Sequence, residues 1–255
     1  MPDEPLKGAV ALVTGASSGI GAATARRLGR EGASVALVAR RRERLDQVAG
    51  DIASQGGHAF AVEADITEPE RAYQAVQDTL DWFGRLDILV NNAGIMLLNS
   101  ALHTTIQDWD QMVSLNVAAL LHITHAAVPY LIDAAVTSPR QVADLVNVSS
   151  TAGRVARPGS SVYNLTKFGL NGFTESLRQE LVSERVRVSV VEPGTVDTEL
   201  VNHLGDAVRE AARRQVDGIE PLRAEDVADA VSYIVTRERR VAVNEILVRS
   251  GGQTW

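Results

Sequence analysis

Tyr163 and Lys167 stand four residues apart in a stretch, residues 161–182, whose apolar pattern predicts a helix. Their side chains therefore share one face. A free tyrosine titrates at about 10, too high to trade protons readily near neutrality. A neighbouring ammonium favours the phenolate and lowers that value, which makes the pair a candidate acid/base unit. A tyrosine and a lysine at this spacing also occur on solvated helix faces, so the pair alone does not decide the matter. Ser149 and Ser150 follow directly on an apolar run at residues 144–148 and offer two hydroxyls.

The elements that would position these groups can be read along the chain. Residues 9–13 are uniformly apolar and predict a strand buried on both faces. Gly15, Gly19 and Gly21 follow, and then Ala22, Ala25 and Leu28 recur at helical spacing. Strand, glycine turn and helix in that order aim a helix N-terminus at a phosphate. Gly15 permits the turn, Gly19 lets the backbone approach a pyrophosphate, and Gly21 lets helix and strand pack closely. A strand-to-helix turn needs glycine for steric reasons as well, so the motif gains weight only from its context. Further strands are predicted at 34–39, 58–62, 87–90, 144–148, 187–191 and 245–248. Helices are predicted at 41–54, from a capping box at Thr67 and Glu70 to about residue 83, at 105–136 with a kink or division at Pro129, at 161–182 and at 224–235. This alternation implies an α/β fold: a Rossmann-like, doubly wound parallel sheet of about seven strands with helices on both faces. No linker or repeat interrupts it, so the 255 residues read as one domain, 1–255. In such a sheet ligands bind at the carboxyl ends of the strands, which selects Thr14-Gly15, Arg40, Asp65, Asn91, Ser149-Ser150 and Pro193-Gly194.

Composition narrows the function classes. The net charge is −7 and the longest basic run is Arg40-Arg41-Arg42, which argues against nucleic acid as a partner. There are no cysteines, so disulfides, thiol nucleophiles and thiolate metal sites are excluded together. His122 and His125 are three apart on a predicted helix, yet no acid joins them, and no metal site is expected. The acidic start lacks the apolar core of a signal peptide, and no window reads as a membrane span, so the expectation is a cytoplasmic protein without a membrane partner.

Taken together, the motifs resemble the short-chain dehydrogenase/reductase family in its compact form. The resemblance is carried by Thr14-Gly15-Ala16-Ser17-Ser18-Gly19-Ile20-Gly21, Asn91-Asn92-Ala93-Gly94, Asn116 in Ser-Leu-Asn-Val, Ser150, Tyr163-Asn164-Leu165-Thr166-Lys167 and Pro193-Gly194-Thr195-Val196-Asp197-Thr198. It runs from about residue 7 to residue 252. Residues 92–98, 192–200 and the ending Asn-Glu-Ile-Leu-Val-Arg are most similar to clavulanate-dehydrogenase-like and serine-3-dehydrogenase-like members. The resemblance implies that Tyr163 is the general acid when a carbonyl is reduced and the base in the reverse direction. Lys167 would lower its pKa and bond the nicotinamide ribose. Ser150, thirteen residues before Tyr163 as is usual in the family, would hold the substrate oxygen, with Ser149 as competitor. Asn116 would anchor a water in a proton relay; otherwise it is a polar residue bending the long helix. Cofactor contacts are implied for Gly15, Ser17, Ser18, Gly19, Ile20 and Gly21, for Asp65 and Ile66 beside the adenine, and for Asn91, Ala93 and Gly94 on the adenosine side. Pro193, Gly194 and Val196 would line the nicotinamide, with Thr198 near its carboxamide.

Cofactor choice turns on the end of the second strand, where an acid bonds the ribose 2′-hydroxyl of NAD. Here Ala39 is followed by Arg40, and Arg41 stands next to it. Arginine pairs with a 2′-phosphate in a bidentate, charge-assisted way, so NADP(H) is expected. The competing account is three solvated arginines opening a helix. The resulting expectation is a carbonyl reductase or alcohol dehydrogenase transferring a hydride between nicotinamide and a small or medium organic substrate. The alternatives are a non-catalytic NADP(H)-binding regulatory or scaffold protein, or the same enzyme using NAD(H). Residues 197–220 are expected to cover the substrate. By resemblance, a homotetramer (or homodimer) would form through the helix at 161–182 and the strand at 245–248.

Overall fold

The computed structural model describes residues 4–200 and 218–254. Strands β1 (Val10–Thr14), β2 (Ser34–Ala39), β3 (His58–Glu63), β4 (Ile88–Asn91), β5 (Ala143–Val148), β6 (Val186–Pro193) and β7 (Glu245–Val248) form one sheet, ordered β3-β2-β1-β4-β5-β6-β7. Every neighbouring pair is parallel. The chain winds outward from β1 to β3 and then returns to β4 on the other side of β1. The carboxyl ends of β1 and β4 therefore flank the point where the winding reverses, the place where open sheets of this kind hold ligands.

Alternation along each strand explains the apolar runs. Ala11 and Val13 pack with Leu28 of α1 (Gly19–Arg30), Ile52 of α2 (Arg42–Ser54) and Val231 of α7 (Ala224–Val235). Leu12, between them, packs on the opposite side with Val76 of α3 (Pro69–Phe83), Ile123 and Leu131 of α5 (Leu120–Thr137) and Leu181 of α6 (Ser161–Leu181). Both faces are covered, so neither can tolerate a polar alternation. Each large side chain buried this way contributes about 1.5–3 kcal/mol relative to exposure.

The amino ends of the strands are tied by charge. Asp87 is fully buried and accepts from the Val10 amide at 2.9 Å and from Arg85 at 2.7 Å. Asp144, also fully buried, accepts from Arg187 and from Arg140, each at 2.7 Å. These pairs sit at the edge away from the ligand-binding end.

Three local expectations change. Thr67 does not cap α3: its hydroxyl donates to Asp65 Oδ1 at 2.7 Å, and Pro69 at the first helical position makes Glu68 the N-cap. A threonine–aspartate capping box occurs instead at Thr105 and Asp108, opening α4 (Ile106–Val113). Pro129 does not divide the long helix, because α5 runs through it. The irregularity lies earlier, in a π-helical stretch, Ser114–Ala119, that carries Asn116 between α4 and α5. Finally, the helical run Ile106–Thr137, 32 residues, is long and apolar enough by length and composition to cross a membrane, contrary to the expectation from the sequence. Its apolar content is explained by packing, since Ile123, Ala127 and Leu131 are fully buried against the sheet.

Candidate active site

A cleft of about 600 Å³ opens at the carboxyl ends of the strands. Its floor is the β1–α1 turn. Gly15 holds φ at +67°, and a Cβ there would stand 2.9 Å from the backbone of Ala93. A Cβ at Gly21 would collide with the Gly15 carbonyl and the Asn92 carboxamide, so the close packing expected of this glycine is observed. Thr14 and Asn92 lock the turn to the loop after β4. The Thr14 hydroxyl accepts from the amides of Asn92 and Ala93 at 3.0 and 3.1 Å, and Asn92 Nδ2 donates to the Thr14 carbonyl at 2.9 Å.

Most of the residues singled out in the sequence meet here. Gly15, Ser17, Ser18, Gly19 and Ile20 line the cleft from the first turn, and Arg40 and Arg41 from the end of β2. Asp65 and Ile66 follow β3, Ala93 and Gly94 follow β4, Tyr163 and Lys167 come from α6, and Thr198 lies beyond β6. Others support the wall without lining it. Asn91 is buried, with its Nδ2 donating to Thr124 Oγ1 and Asn147 Oδ1, both at 2.9 Å. Pro193, Gly194 and Val196 sit at the end of β6, where the Gly194 amide donates to the Val248 carbonyl at 2.7 Å. The carboxamide of Gln253 fills the space beside Gly194 that a Cβ would need, and its Oε1 accepts from the Thr195 amide at 3.0 Å. Part of the expected covering segment, including His203, lies outside the described residues.

Tyr163 and Lys167 are each only 7% exposed. Lys167 Nζ donates to the Val148 carbonyl at 2.9 Å and stands 5.9 Å from the centre of the Tyr163 ring. Burial pushes the phenol up to about 12, against a hydrogen bond with Ser150 that pulls it down. Burial also brings the Lys167 ammonium down to about 8. The phenol is thus raised, not lowered as the spacing suggests, because desolvation disfavours the charged form of both groups. At neutral pH the pair is a protonated phenol beside an ammonium, a proton donor. Of the two serines, Ser150 bears on the phenol's pKa while its Oγ accepts from the Ala152 amide at 3.1 Å, whereas Ser149 lines the cleft with its Oγ buried and without a partner.

Asn116 connects three parts of the site. Its Oδ1 accepts from the Ile95 amide at 2.8 Å, and its Nδ2 donates to the Ile95 carbonyl at 2.9 Å and to Thr166 Oγ1 at 3.3 Å. Thr166 in turn donates to the Tyr163 carbonyl at 2.8 Å. Both carboxamide protons are thus spent on the protein. The turn carrying Ser150 is fixed similarly. Glu192, fully buried, accepts from Arg154 Nε at 2.6 Å and from Asn171 Nδ2 at 2.7 Å.

At the other end of the cleft the arginines divide. Arg40 is exposed, with Nη1 3.7 Å from Asp65 Oδ2. Arg41 points inward and donates to Ser17 Oγ at 2.9 Å and Ser18 Oγ at 2.6 Å. Arg44 joins it, one helical turn on, although no sequence motif singles it out. Its spacing from Arg41 is the signal that could have found it. Asn92 lies inside the Asn-Asn-Ala-Gly motif without a role of its own there, and Gln253 and Glu199 carry no local signal.

A family model for short chain dehydrogenase matches residues 9–209. A serine 3-dehydrogenase from Agrobacterium fabrum is 36% identical over 245 residues, covering 96% of this chain and 94% of the relative. A short chain dehydrogenase from Burkholderia cenocepacia, crystallised in complex with NADP, superposes with a TM-score of 0.84 at 34% identity, covering 97% of this chain and 98% of its own. A 3-ketoacyl-(acyl-carrier-protein) reductase from Brucella melitensis complexed with NADH gives 0.86 at 31% identity, covering 97% and 98%. By the family model and by these relatives, the chain belongs to the short-chain dehydrogenase/reductase family of oxidoreductases.

Proposed function

We propose that this protein is an NADP(H)-dependent carbonyl reductase or alcohol dehydrogenase acting on a small or medium organic substrate, with Tyr163 as its acid/base group. The observation that carries the reading is one cleft with the buried Tyr163–Lys167 pair at one end and Arg41 with Arg44 at the other. The donor set fits a phosphorylated dinucleotide. Hydroxyls of Ser17 and Ser18 and the Arg41 guanidinium converge at the glycine turn, and β2 ends in Ala39, followed by Arg40, without the acid that bonds a ribose 2′-hydroxyl at that position. Gly15, Gly19 and Ile20 would hold the pyrophosphate, Asp65 and Ile66 the adenine, Arg41 and Arg44 the 2′-phosphate, and Lys167 the ribose next to the nicotinamide. The relatives crystallised with NADP and with NADH support a nicotinamide cofactor. When bound, it supplies or takes the hydride.

The chain's own residues handle the proton. Tyr163 Oη gives its proton to the carbonyl oxygen as the alcohol forms, and Ser150 holds that oxygen against the phenol. The buried Lys167 charge stabilises the phenolate left behind, which is worth more in a dry site than in water. Asn116 orients the tyrosine through Thr166. A protonated phenol at neutral pH favours the reducing direction. Leu165 and Phe168 on α6 and Leu121 on α5 are exposed, which supports self-association into a homodimer or homotetramer along these helices. The test is NADPH and NADH oxidation across ketones, aldehydes, quinones and 3-oxo acyl compounds, with Tyr163→Phe as blank. Turnover that survives in the blank, or NADH used as well as NADPH, would count against the proposal.

A further inference from the structure

Four arginines crown the carboxyl end of β2 and the first turn of α2; Arg42 pairs with Asp46 of its own helix, and two carboxylates from other segments answer the remaining three. Asp65 faces Arg40. Glu199 crosses from the segment after β6, with Oε2 2.9 Å from Arg41 Nη1 and Oε1 bonded to Arg44 Nη1. Glu199 lines the same cleft as Ser17, Ser18 and Gly19. Its two oxygens engage the two guanidiniums as two oxygens of a phosphate would. Arg44 first, and then Arg41, hold the Glu199 carboxyl at about 2, so it remains anionic at working pH.

We infer that Glu199 is a specificity-determining residue: an internal anion that occupies Arg41 and Arg44 until a 2′-phosphate displaces it. The inference rests on the NADP(H) reading above and deepens it. Charge decides the consequence. Among the groups lining the cleft at this corner, Arg40, Arg41 and Arg44 stand against Asp65 and Glu199, and an incoming phosphate meets Glu199 as a like charge on the same donors. Binding NADP(H) therefore requires breaking both Glu199 ion pairs. A 2′-hydroxyl carries no charge and competes for neither arginine, so NAD(H) binding leaves Glu199 where it is. Glu199 thus lowers affinity for the phosphorylated cofactor selectively and narrows the preference that the arginines create.

The test titrates the purified protein with NADPH and NADH, following nicotinamide fluorescence. The variants are Glu199→Gln, Arg41→Ala and, as a charge control, Glu43→Gln, which removes a carboxylate one residue from Arg44. Half-exposed ion pairs are individually weak, so loss of the two Glu199 pairs should tighten NADPH by about three- to tenfold, with NADH changed by less than about twofold. Glu43→Gln should tighten NADPH by a smaller factor than Glu199→Gln. If Glu199→Gln leaves NADPH affinity unchanged or weakens it while Arg41→Ala still weakens NADPH selectively, the cofactor reading stands and the inference falls. The inference also falls if Glu199→Gln tightens both cofactors equally. If Arg41→Ala affects NADPH and NADH alike, the cofactor reading itself falls and takes the inference with it.

Discussion

Replacing Tyr163 with phenylalanine removes one hydroxyl and leaves the ring in place, so its consequences separate cleanly. The ring is 7% exposed and packs with Ile95 and Met112, contacts that phenylalanine preserves. Losing the hydroxyl costs at most about 1 kcal/mol, the net worth of one hydrogen bond. For a chain of this size that lowers Tm by about 2–4 °C, too little to unfold it. The groups proposed to hold the pyrophosphate and 2′-phosphate lie on other elements and Lys167 is unchanged, so NADPH affinity should change by less than about twofold. Loss of a positioned general acid costs about 10²–10⁴ in rate. The expected result is thus a folded, cofactor-binding protein whose carbonyl reduction falls by at least about a hundredfold. The pH profile adds a second readout. With the phenol at about 12, the acid form is complete throughout the neutral range. Lys167 is charged below about 8 and neutral above it. In the wild type, kcat/KM for NADPH in the reducing direction should therefore be flat below about 8 and decline above it. A Tyr163→Phe enzyme turning over within about tenfold of wild type, at unchanged NADPH affinity, would refute the acid role and redirect attention to Ser150 or a water.

Other substitutions test other parts of the structure. Arg41→Ala should weaken NADPH by about ten- to thirtyfold, from the loss of a charge-assisted bond. Arg40→Ala, which removes an exposed side chain facing Asp65, should cost less, and a titration of both cofactors ranks the two. Gln253→Ala and Gly194→Ala should each cost about 1 kcal/mol in urea unfolding, because each disrupts the Gln253–Thr195 bond. The double variant should cost clearly less than the sum, since alanine at 194 already displaces the carboxamide. Arg187→Ala leaves the buried Asp144 with Arg140 alone, and should destabilise by about 3–5 kcal/mol in urea unfolding. Cofactor affinity of the surviving folded fraction should be unchanged, because the pair lies at the opposite edge of the sheet.

The strands are readable because a parallel sheet covered on both faces writes itself as unbroken apolar runs. The run at residues 9–13 and strand β1 differ by one residue at each end. Helix detail is less readable because it depends on competition among local partners. Thr67 has the spacing of a cap, but Asp65 takes its hydroxyl first. Pro129 has the chemistry of a break, yet the helix continues through it, and the irregular stretch forms at Ser114–Ala119, where Asn116 ties the helix to the Ile95 loop. The residue types alone do not rank those outcomes; the tertiary partner does.

The site shows the same division between what is local and what is assembled. The glycine turn, the tyrosine and lysine on one helix face, and the arginines after β2 are short-range patterns, and they meet at the end of the sheet where the winding reverses. What sequence could not supply is anything that depends on two distant segments arriving together. Glu199 lies 155 residues from Arg44, and Gln253 lies 58 residues from Thr195. The direction of the Tyr163 shift belongs to this group as well. Spacing puts an ammonium near the phenol and argues for a lower pKa, whereas burial, a property of the assembled core, argues for a higher one, and here burial is the larger effect. A phenol so placed is held as a donor until something lowers the energy of its charged form. The groups positioned to do so are the Ser150 hydroxyl and the Lys167 ammonium. It follows that the Tyr163–Lys167 pair is tuned less by its own spacing than by the depth at which the sheet, the Asn116 tie and the Glu192 clasp hold it.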